Sequence, residues 1–241
     1  MNHAEIDQYS TRSRWYRFDP RVKLACVVGL VLVAALTRDL ASLLLLFAFS
    51  SALVLASGVP LRHLRSVLAL AAPFVVFPAL ALLLTNGPLP ALAMALRVAA
   101  SVLALAVLTT TTPMFHLLRA LRWYRMPALL SSLVLFTYRF IFVLLDELER
   151  MSLARRARGF TGRGHLLSRE VFRTLSFTAG MTFVRAHARA MRIYDALLAR
   201  GYSGEVRTLS ELRAGPRDVA FIVMFLTIGA LSVLLQTGAL T

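Results

Sequence analysis

Long apolar segments separated by short polar loops dominate this chain of 241 residues. Lipid offers the backbone no hydrogen-bond partner, and a helix that crosses a bilayer needs about 20 residues, within a range of about 17 to 25. Hydrophobic residues make up 58% of the chain, against about 45 to 50% in an average soluble domain. We therefore expect an all-α integral membrane protein with about five transmembrane helices, four N-terminal and one C-terminal: Val22 to Leu36, Leu40 to Ser57, Val67 to Thr85, Ala91 to Thr112 and Val219 to Gln236.

The distribution of basic residues predicts which loops face the cytoplasm. The chain carries 27 basic and 12 acidic residues, and basic residues accumulate in the cytoplasmic loops of membrane proteins. The segment before the first apolar stretch and the loop after the second are basic, whereas the turn at 86–90 is uncharged. We therefore expect a cytoplasmic N-terminus. Residues 1–112 would then form four membrane helices, residues 113–218 a cytoplasmic region with long helices, and residues 219–241 the last membrane helix.

One further apolar stretch, Pro127 to Leu145, leaves the topology open. It is long enough to cross a bilayer, but Arg139 lies near its middle, and a central arginine costs about 2.5 to 3.5 kcal/mol on insertion scales. We therefore predict a helix that packs against protein at the membrane boundary. The C-terminus would then face outside, whereas a sixth crossing would place it inside.

One six-residue phrase occurs twice in the last hundred residues, as Ala-Arg-Gly-Phe-Thr-Gly at 157–162 and as Ala-Arg-Gly-Tyr-Ser-Gly at 199–204. In each copy the glycine can take the left-handed conformation that ends a helix, and the arginine suits the negative end of the helix dipole. A guanidinium group binds carboxylates in a bidentate manner. A single copy would also fit an ordinary helix stop. The two copies together predict two cationic contacts with acidic sites on a partner, at Ala157, Arg158, Gly159 and at Ala199, Arg200, Gly201.

The stretch from Leu166 to Arg200 is amphipathic rather than uniformly apolar. Arg185, Arg189 and Arg192 share one face, and we expect them to be solvated or to contact lipid headgroups. The pattern predicts an interfacial or partner-binding helix that does not cross the membrane. Its apolar residues recur at steps of three and four, as one face of a helix requires: Phe177, Met181, Val184, Ala188, Met191, Tyr194 and Leu198.

The sequence offers little support for chemistry within the chain. A phosphate-binding loop needs Gly-x-x-x-x-Gly-Lys-Ser/Thr, and the one lysine, Lys23, lies in a segment without a nearby glycine. The five histidines are scattered and lack companion ligands at metal-binding spacing. We therefore predict no catalytic residue, no metal site and no cofactor in this chain. Basic residues in so apolar a chain indicate cytoplasmic loops and anionic headgroups rather than nucleic acid.

Two charged features inside the helical segments have simple structural interpretations. The acids Asp146, Glu147 and Glu149 lie beside Arg150 and precede further arginines at helical spacing, so we predict ion pairs rather than a catalytic pair. Arg97 lies inside the fourth apolar segment, about one and a half turns from its outer end. A long basic side chain at that depth is expected to extend to the interface.

Several segments are familiar in combination: Arg-Phe-Asp-Pro-Arg-Val-Lys-Leu at 17–24, Thr-Pro-Met at 112–114, Met-Pro at 126–127, Thr-Tyr-Arg-Phe-Ile at 137–141 and the two Ala-Arg-Gly stops. With them the chain resembles the transmembrane T subunit of energy-coupling-factor transporters, and most closely the cobalt type. The similarity covers nearly the whole chain, and the paired Ala-Arg-Gly motifs are its most specific part.

The resemblance implies a scaffold in the bacterial inner membrane that does not itself hold the transported ion. It implies two ABC-type ATPase partners, which bind the ATP and Mg²⁺, and a membrane subunit that captures the metal, with room for a further small membrane subunit. The motifs at 157–159 and 199–201 would end coupling helices that dock in grooves on the ATPases. Cobalt, nickel and vitamin cargoes all stay open, because the capture subunit would select among them.

Two other classes of protein would require different features in the sequence. A self-sufficient secondary transporter should carry acids or broken helices at the bilayer midplane, and no Asp or Glu lies in the five predicted segments. A membrane enzyme that acts on lipid would need clustered catalytic residues at the interface. The acids beside Arg150 are the one feature that would support it.

Overall fold

The computed structural model describes residues 15, 18–58, 61–159, 169–204 and 215–237, apart from the side chains of residues 61–68, 70 and 170. The regular secondary structure of these residues consists of helices without strands. Eight helices follow in chain order: α1 (Pro20–Leu36), α2 (Leu40–Ala56), α3 (Leu61–Asn86), α4 (Pro88–Thr111), α5 (Met114–Trp123), α6 (Ala128–Ala157), α7 (Arg169–Ala199) and α8 (Pro216–Gln236).

The lengths of the apolar helices bear directly on the number of membrane crossings. Three helices, α4, α6 and α8, are long and apolar enough to cross a bilayer. Helices α1 and α2 have 17 residues each, which rise about 25 Å against a hydrocarbon core of about 30 Å. The apolar part of α3, Ala71–Asn86, is similarly short. The all-α architecture with long apolar helices is confirmed, whereas five crossings remain a prediction.

Helix α6 contains the stretch whose placement the sequence left open. By length and composition it could cross a membrane, although only 11% of its most apolar window is buried. Arg139 is exposed on its surface. Its predicted position at the membrane boundary therefore remains a prediction.

Two compact units divide the chain, residues 1–124 with 210–241 and residues 125–209. In the first unit α4 lies centrally and contacts α1, α2 and α3. Ala100 and Ala104 on α4 are completely buried. Their small side chains let the neighbouring helices approach α4 closely. Helix α8 packs on α1 and α2. The division into units depends on contacts between residues and places α5 with the predicted membrane helices. The predicted boundary at residue 112 instead separates residues expected in the membrane from residues expected in the cytoplasm.

Helix α3 begins earlier than the sequence pattern indicated. We predicted a loop at 58–66 and an apolar segment from Val67, but the helix already starts at Leu61. Leucine and arginine are good helix formers, so the basic residues of this loop lie on the first turns of the helix. Pro73 and Pro78 lie inside α3, and the helix continues through both.

Buried charges join the N-terminal ends of α1 and α8 to the C-terminal end of α4. Asp218 is 4% exposed, and its Oδ1 accepts a hydrogen bond from the Asp19 backbone N–H at 2.8 Å while its Oδ2 accepts one from the Gly215 N–H at 2.7 Å. Lys23, 3% exposed, donates from Nζ to the Thr111 carbonyl at 3.3 Å and is attracted by the charge of Asp218. These contacts satisfy backbone groups that helix ends leave without intrahelical partners.

Arg97 contacts the end of a neighbouring helix. Its Nη2 donates to the carbonyl oxygen of Thr37 at 2.7 Å, where Thr37 is the C-cap residue of α1. The half-buried side chain thereby bonds a carbonyl that the end of α1 leaves without an intrahelical partner. Its predicted extension to the membrane interface remains a prediction.

Helix α5 was not predicted and packs on α1. Its last residue, Trp123, lies against the guanidinium of Arg21, whose carbon is 4.9 Å from the ring centroid. The next residue, Tyr124, donates from its hydroxyl to the Arg21 carbonyl at 3.2 Å. The sequence combines basic and apolar residues here over only ten positions, which gave too short a pattern to identify a separate helix.

Candidate functional site: two arginine-glycine helix ends

The first Ala-Arg-Gly motif ends α6. Ala157 is the last helical residue and Arg158 is the C-cap, with φ of −88° and ψ of 13°. Gly159 has φ of 84°, the left-handed region that glycine adopts without strain, and its N–H bonds the Arg156 carbonyl at 3.0 Å. The predicted helix stop is therefore confirmed at this position. The trailing residues 160–162 of this copy lie outside the described residues.

The second motif ends α7 in the same way. Gly201 has φ of 76°, and its N–H bonds the Leu198 carbonyl at 3.0 Å. The N–H of Tyr202 reaches back to the Leu197 carbonyl at 3.0 Å. These two bonds define a Schellman motif with Arg200 at the C-cap position. The repeated phrase therefore encodes one repeated backbone structure, with an arginine at the same position in both copies.

Helices α6 and α7 run antiparallel, so the two motifs lie at opposite ends of the pair. Arg155 near the end of α6 donates to the Thr178 hydroxyl at 2.6 Å, early in α7. Tyr202, just beyond α7, contacts Phe136 near the start of α6, with ring centroids 6.3 Å apart. The nineteen residues between the two contact points on α6 correspond to about 28 Å of helix. The two arginines are therefore separated by roughly the length of this helical pair.

The residues of both motifs are exposed in this chain. Ala157, Arg158 and Gly159 are exposed, and so are Ala199, Arg200 and Gly201. A C-cap arginine lies at the negative end of the helix dipole, which favours its charge. The exposed guanidinium groups have the donor geometry to bind carboxylates of another protein in a bidentate manner.

Tyr202 gives the end of α7 a support that the sequence did not predict. Its ring is partly buried against Phe136 and lines a cleft of about 500 Å³ together with Ser132 and Phe140 of α6. An aromatic contact of this kind contributes about 0.5 to 1.5 kcal/mol beyond the buried area. The aromatic residue that follows the motif therefore holds the end of α7 against α6. The signal in the sequence was the repeated aromatic after each Ala-Arg-Gly, although its packing partner could not be identified there.

Ion pairs also join the two helices, as predicted in kind but with different partners. Glu147 of α6 binds Arg185 and lies 3.7 Å from the Nη2 of Arg189, both on α7. The predicted solvation of the arginines in the middle of α7 agrees with the structure, because the side chains of Arg185 and Arg189 stay 53% and 42% exposed while they pair with Glu147. The hydrogen bond from Arg185, with the charges of Arg185, Arg189 and Arg150, holds the pKa of Glu147 below its usual range.

The apolar stripe of α7 is not covered by the described residues of its own unit. The residues of α7 that contact α6 are largely polar, among them Thr178, Thr182 and Arg185. Exposed positions on the adjacent face include six members of the predicted stripe: Phe177, Met181, Val184, Met191, Tyr194 and Leu198. The periodicity predicted this stripe correctly, and its exposure is typical of a helix that meets a partner or a membrane surface.

The described part of the chain contains no group of three His, Cys, Asp or Glu side chains that could hold a metal ion. His3 and His165 lie outside the described residues, as does the side chain of His63. His116 and His187 lie on different helices, α5 and α7. The predicted absence of a metal site therefore stays a prediction for the chain as a whole.

Comparison with known proteins finds relatives over most of the sequence. The family model described as CbiQ, cobalt transport protein, matches residues 12–210. The cobalt transport protein CbiQ of Rhodobacter capsulatus is 32% identical and covers 94% of this chain and 96% of its own length. The energy-coupling factor transporter transmembrane protein EcfT of Bacillus selenitireducens is 29% identical over 89% of this chain and 90% of its own. A chain matched over nearly all of its length by these membrane components, with both helix ends inside the matched region, belongs to the CbiQ family of cobalt transport proteins.

Proposed function

We propose that this chain is the energy-coupling membrane subunit of an ATP-driven cobalt importer and that its two Ala-Arg-Gly helix ends dock on two ABC-type ATPases. The chain would supply neither the ATP site nor the metal site. A separate membrane subunit would capture the metal, and the ATPases would bind ATP and Mg²⁺. Family membership supports the transport role, and the cobalt in the names of the family and of the Rhodobacter relative supports this cargo over nickel or a vitamin.

The observation that carries the proposal is the repetition of one exposed structure at two distant points. Arg158 and Arg200 occupy the same C-cap position of two Gly-terminated helices. They lie at opposite ends of an antiparallel pair, roughly 30 Å apart by the rise of an α-helix. That separation suits two partner molecules, each with an acidic groove, better than a single groove. Two equivalent acidic grooves are expected when the partner is a pair of related ATPase subunits.

The mechanism follows from this separation. Closure of the two ATPases on ATP would bring their grooves together and move both helix ends. Contacts between α6 and α7, such as Arg155 with Thr178 and Glu147 with Arg185, would pass that movement along the pair. The uncovered apolar stripe of α7 would then transmit it to the capture subunit, which presents an apolar surface within or beside the membrane.

The proposal includes a membrane topology. Five crossings with a cytoplasmic N-terminus in the bacterial inner membrane would keep residues 113–218 on the ATPase side. The basic N-terminal segment supports this orientation through the positive-inside rule. If α6 crossed the membrane instead, its start and Arg158 at its end would face opposite sides.

A charge-reversal experiment tests the proposal. The chain is co-expressed with its ATPase and capture subunits as wild type, Arg158→Glu, Arg200→Glu and the double variant. Because glutamate repels an acidic groove, each single variant should reduce ATPase co-purification and ATP-dependent cobalt uptake by at least tenfold, and the double variant should abolish both. Arg192→Glu is the matched control, since Arg192 is an exposed arginine on α7 away from either helix end.

The variants must remain folded for the result to count. Monodisperse elution of each variant and retention of the capture subunit report on the fold. A double variant that binds both ATPases and imports cobalt at the wild-type rate would refute the assignment of the two helix ends. An effect of Arg192→Glu as large as that of Arg200→Glu would show that general surface charge, and not the helix ends, governs docking.

A further inference from the structure

A long apolar groove runs between α1 and α8 in the first unit. Its volume is about 940 Å³. Small and aliphatic residues from both helices line it, including Cys26, Gly29, Val33, Ile222, Gly229 and Val233. No neighbouring side chain lies within 4 Å of the position that a Cβ atom would take at Gly29 or Gly229. The two glycines therefore leave open space along the groove.

One end of the groove is polar and aromatic. Asp19, Arg21, Trp123 and Tyr124 line this end, and Oδ1 of Asp19 accepts the backbone N–H of Arg21 at 2.8 Å. The guanidinium of Arg21 stacks on Trp123, yet its Nε is buried and has no hydrogen-bond partner in the described part of the chain. A buried donor without a partner costs free energy, so this nitrogen favours a ligand that carries an acceptor. The pairing of Trp and Tyr marks the depth of the headgroups in membrane proteins.

The length of the groove matches one leaflet of a bilayer. Lining residues extend from Arg21 to Val33 on α1 and from Ile222 to Leu234 on α8. Twelve residues of helix rise about 18 Å, and half of the hydrocarbon core is about 15 Å thick. An acyl chain whose headgroup lies beside Arg21 would therefore extend along the groove to about the middle of the membrane.

We infer that this groove binds an anionic phospholipid of the leaflet that contacts the N-terminal end of α1. The phosphate accepts from the Arg21 guanidinium, and one acyl chain lies over Gly29 and Gly229 between α1 and α8. A phospholipid supplies the apolar chain and the charged acceptor in one molecule, at the depth where Trp123 and Tyr124 lie. A transmembrane helix of another protein would satisfy the apolar part, but it would need an acid at its end to satisfy Arg21.

Native mass spectrometry of the full-length chain tests this inference. The protein is purified in a neutral detergent and titrated with phosphatidylglycerol or phosphatidylcholine of identical acyl chains. The wild type should retain one phosphatidylglycerol with about fivefold preference, because both lipids carry the phosphate but only phosphatidylglycerol has a net negative charge beside Arg21. Arg21→Gln should lose the headgroup preference, and Gly229→Leu, which fills the groove, should lose binding of both lipids. Arg38→Gln and Gly180→Leu are matched controls outside the groove and should behave as wild type.

A second measurement separates a lipid from a protein occupant. Cys26 is the one cysteine of the chain and lines the groove, so a photoreactive crosslinker attached to it probes the occupant in native membranes. A lipid-sized adduct supports the inference. A peptide adduct from another chain overturns it, as does an unchanged phosphatidylglycerol preference in Arg21→Gln or unchanged retention in Gly229→Leu.

Discussion

Replacement of Asp218 by asparagine should destabilise the first unit more than any substitution of an exposed acid. Both carboxylate oxygens of Asp218 accept backbone N–H groups, at 2.8 Å from Asp19 and 2.7 Å from Gly215. The amide of asparagine keeps one acceptor and turns an N–H₂ group toward the other donor. It also leaves buried Lys23 without the opposite charge that now attracts it.

The magnitude follows from these contacts. A hydrogen bond to a charged group contributes about 1.5 to 3 kcal/mol, and a buried donor left without its acceptor costs about 1 to 3 kcal/mol. With one of the two hydrogen bonds retained, we expect about 3 kcal/mol, which lowers the melting temperature of a chain of this size by about 6 to 12 °C. Asp195→Asn, at an exposed position on α7, should shift it by less than about 2 °C.

Thermal unfolding of the detergent-solubilised protein, followed by fluorescence-detected size exclusion, provides the assay. The variants Asp218→Asn, Lys23→Met and their combination complete a double-mutant cycle. Since Lys23→Met removes the charge that Asp218→Asn leaves unpaired, the double variant should be more stable than the sum of the single effects by about 1 to 3 kcal/mol. Strict additivity, or a shift for Asp218→Asn no larger than that for Asp195→Asn, would refute the reasoning.

The remaining predictions concern the paired helices of the second unit. Gly201→Ala should destabilise the end of α7 by about 1 to 2 kcal/mol because an L-residue is strained at its positive φ, whereas Gly180→Ala inside the helix should stabilise it by about 0.5 to 1 kcal/mol; hydrogen exchange of the last turn of α7 measures both. Tyr202→Ala should reduce ATPase co-purification several-fold while Tyr202→Phe retains it, since the ring and not the hydroxyl holds the helix end; equal loss in both would contradict this. The pKa of Glu147 is lowered in the folded protein, so the ionised carboxylate stabilises the helical pair fully above the ordinary glutamate pKa of about 4.3, and this stabilisation is lost as the pH falls further. When the free energy of unfolding is measured between pH 6 and pH 3, it should decrease less steeply with falling pH in Glu147→Gln than in the wild type. An unchanged slope would exclude the ion pair.

Local patterns in the sequence predicted the helices and the two helix ends well. Apolar runs fixed the positions of α1, α2, α4 and α8 to within about three residues, because helix formation in an apolar segment depends mainly on the segment itself. The conformations of Gly159 and Gly201 followed from the same local chemistry, since few residues other than glycine adopt a left-handed C-cap.

Contacts between distant residues could not be predicted in this way. Asp218 binds the backbone of a residue 199 positions away, and Arg97 bonds a carbonyl 60 positions away. A single sequence contains the residue types but no measure of which chain ends meet. The same reason explains why the pairing of Glu147 with Arg185 of α7 was not predicted.

The support for Tyr202 shows where structure changes the interpretation of a motif. The repeat alone assigned no role to the aromatic residue that follows each Ala-Arg-Gly. In the second copy this aromatic residue contacts Phe136 of the neighbouring helix, while Arg200 stays exposed. Within the second motif, Tyr202 therefore packs against α6 and fixes the helix end, and Arg200 remains available to bind a partner.

Crosslinking from the two helix ends tests the central claim most directly. Ala157→Cys and Ala199→Cys, each in a Cys26→Ser background, place a photocrosslinker beside Arg158 or Arg200 without removing the arginine, in membranes that contain the whole transporter. Each variant should crosslink to an ATPase subunit, and the chain that carries both cysteines should yield a product of one chain with two ATPases. Crosslinks from either position to lipid or to the capture subunit alone, with no ATPase captured, would contradict the account.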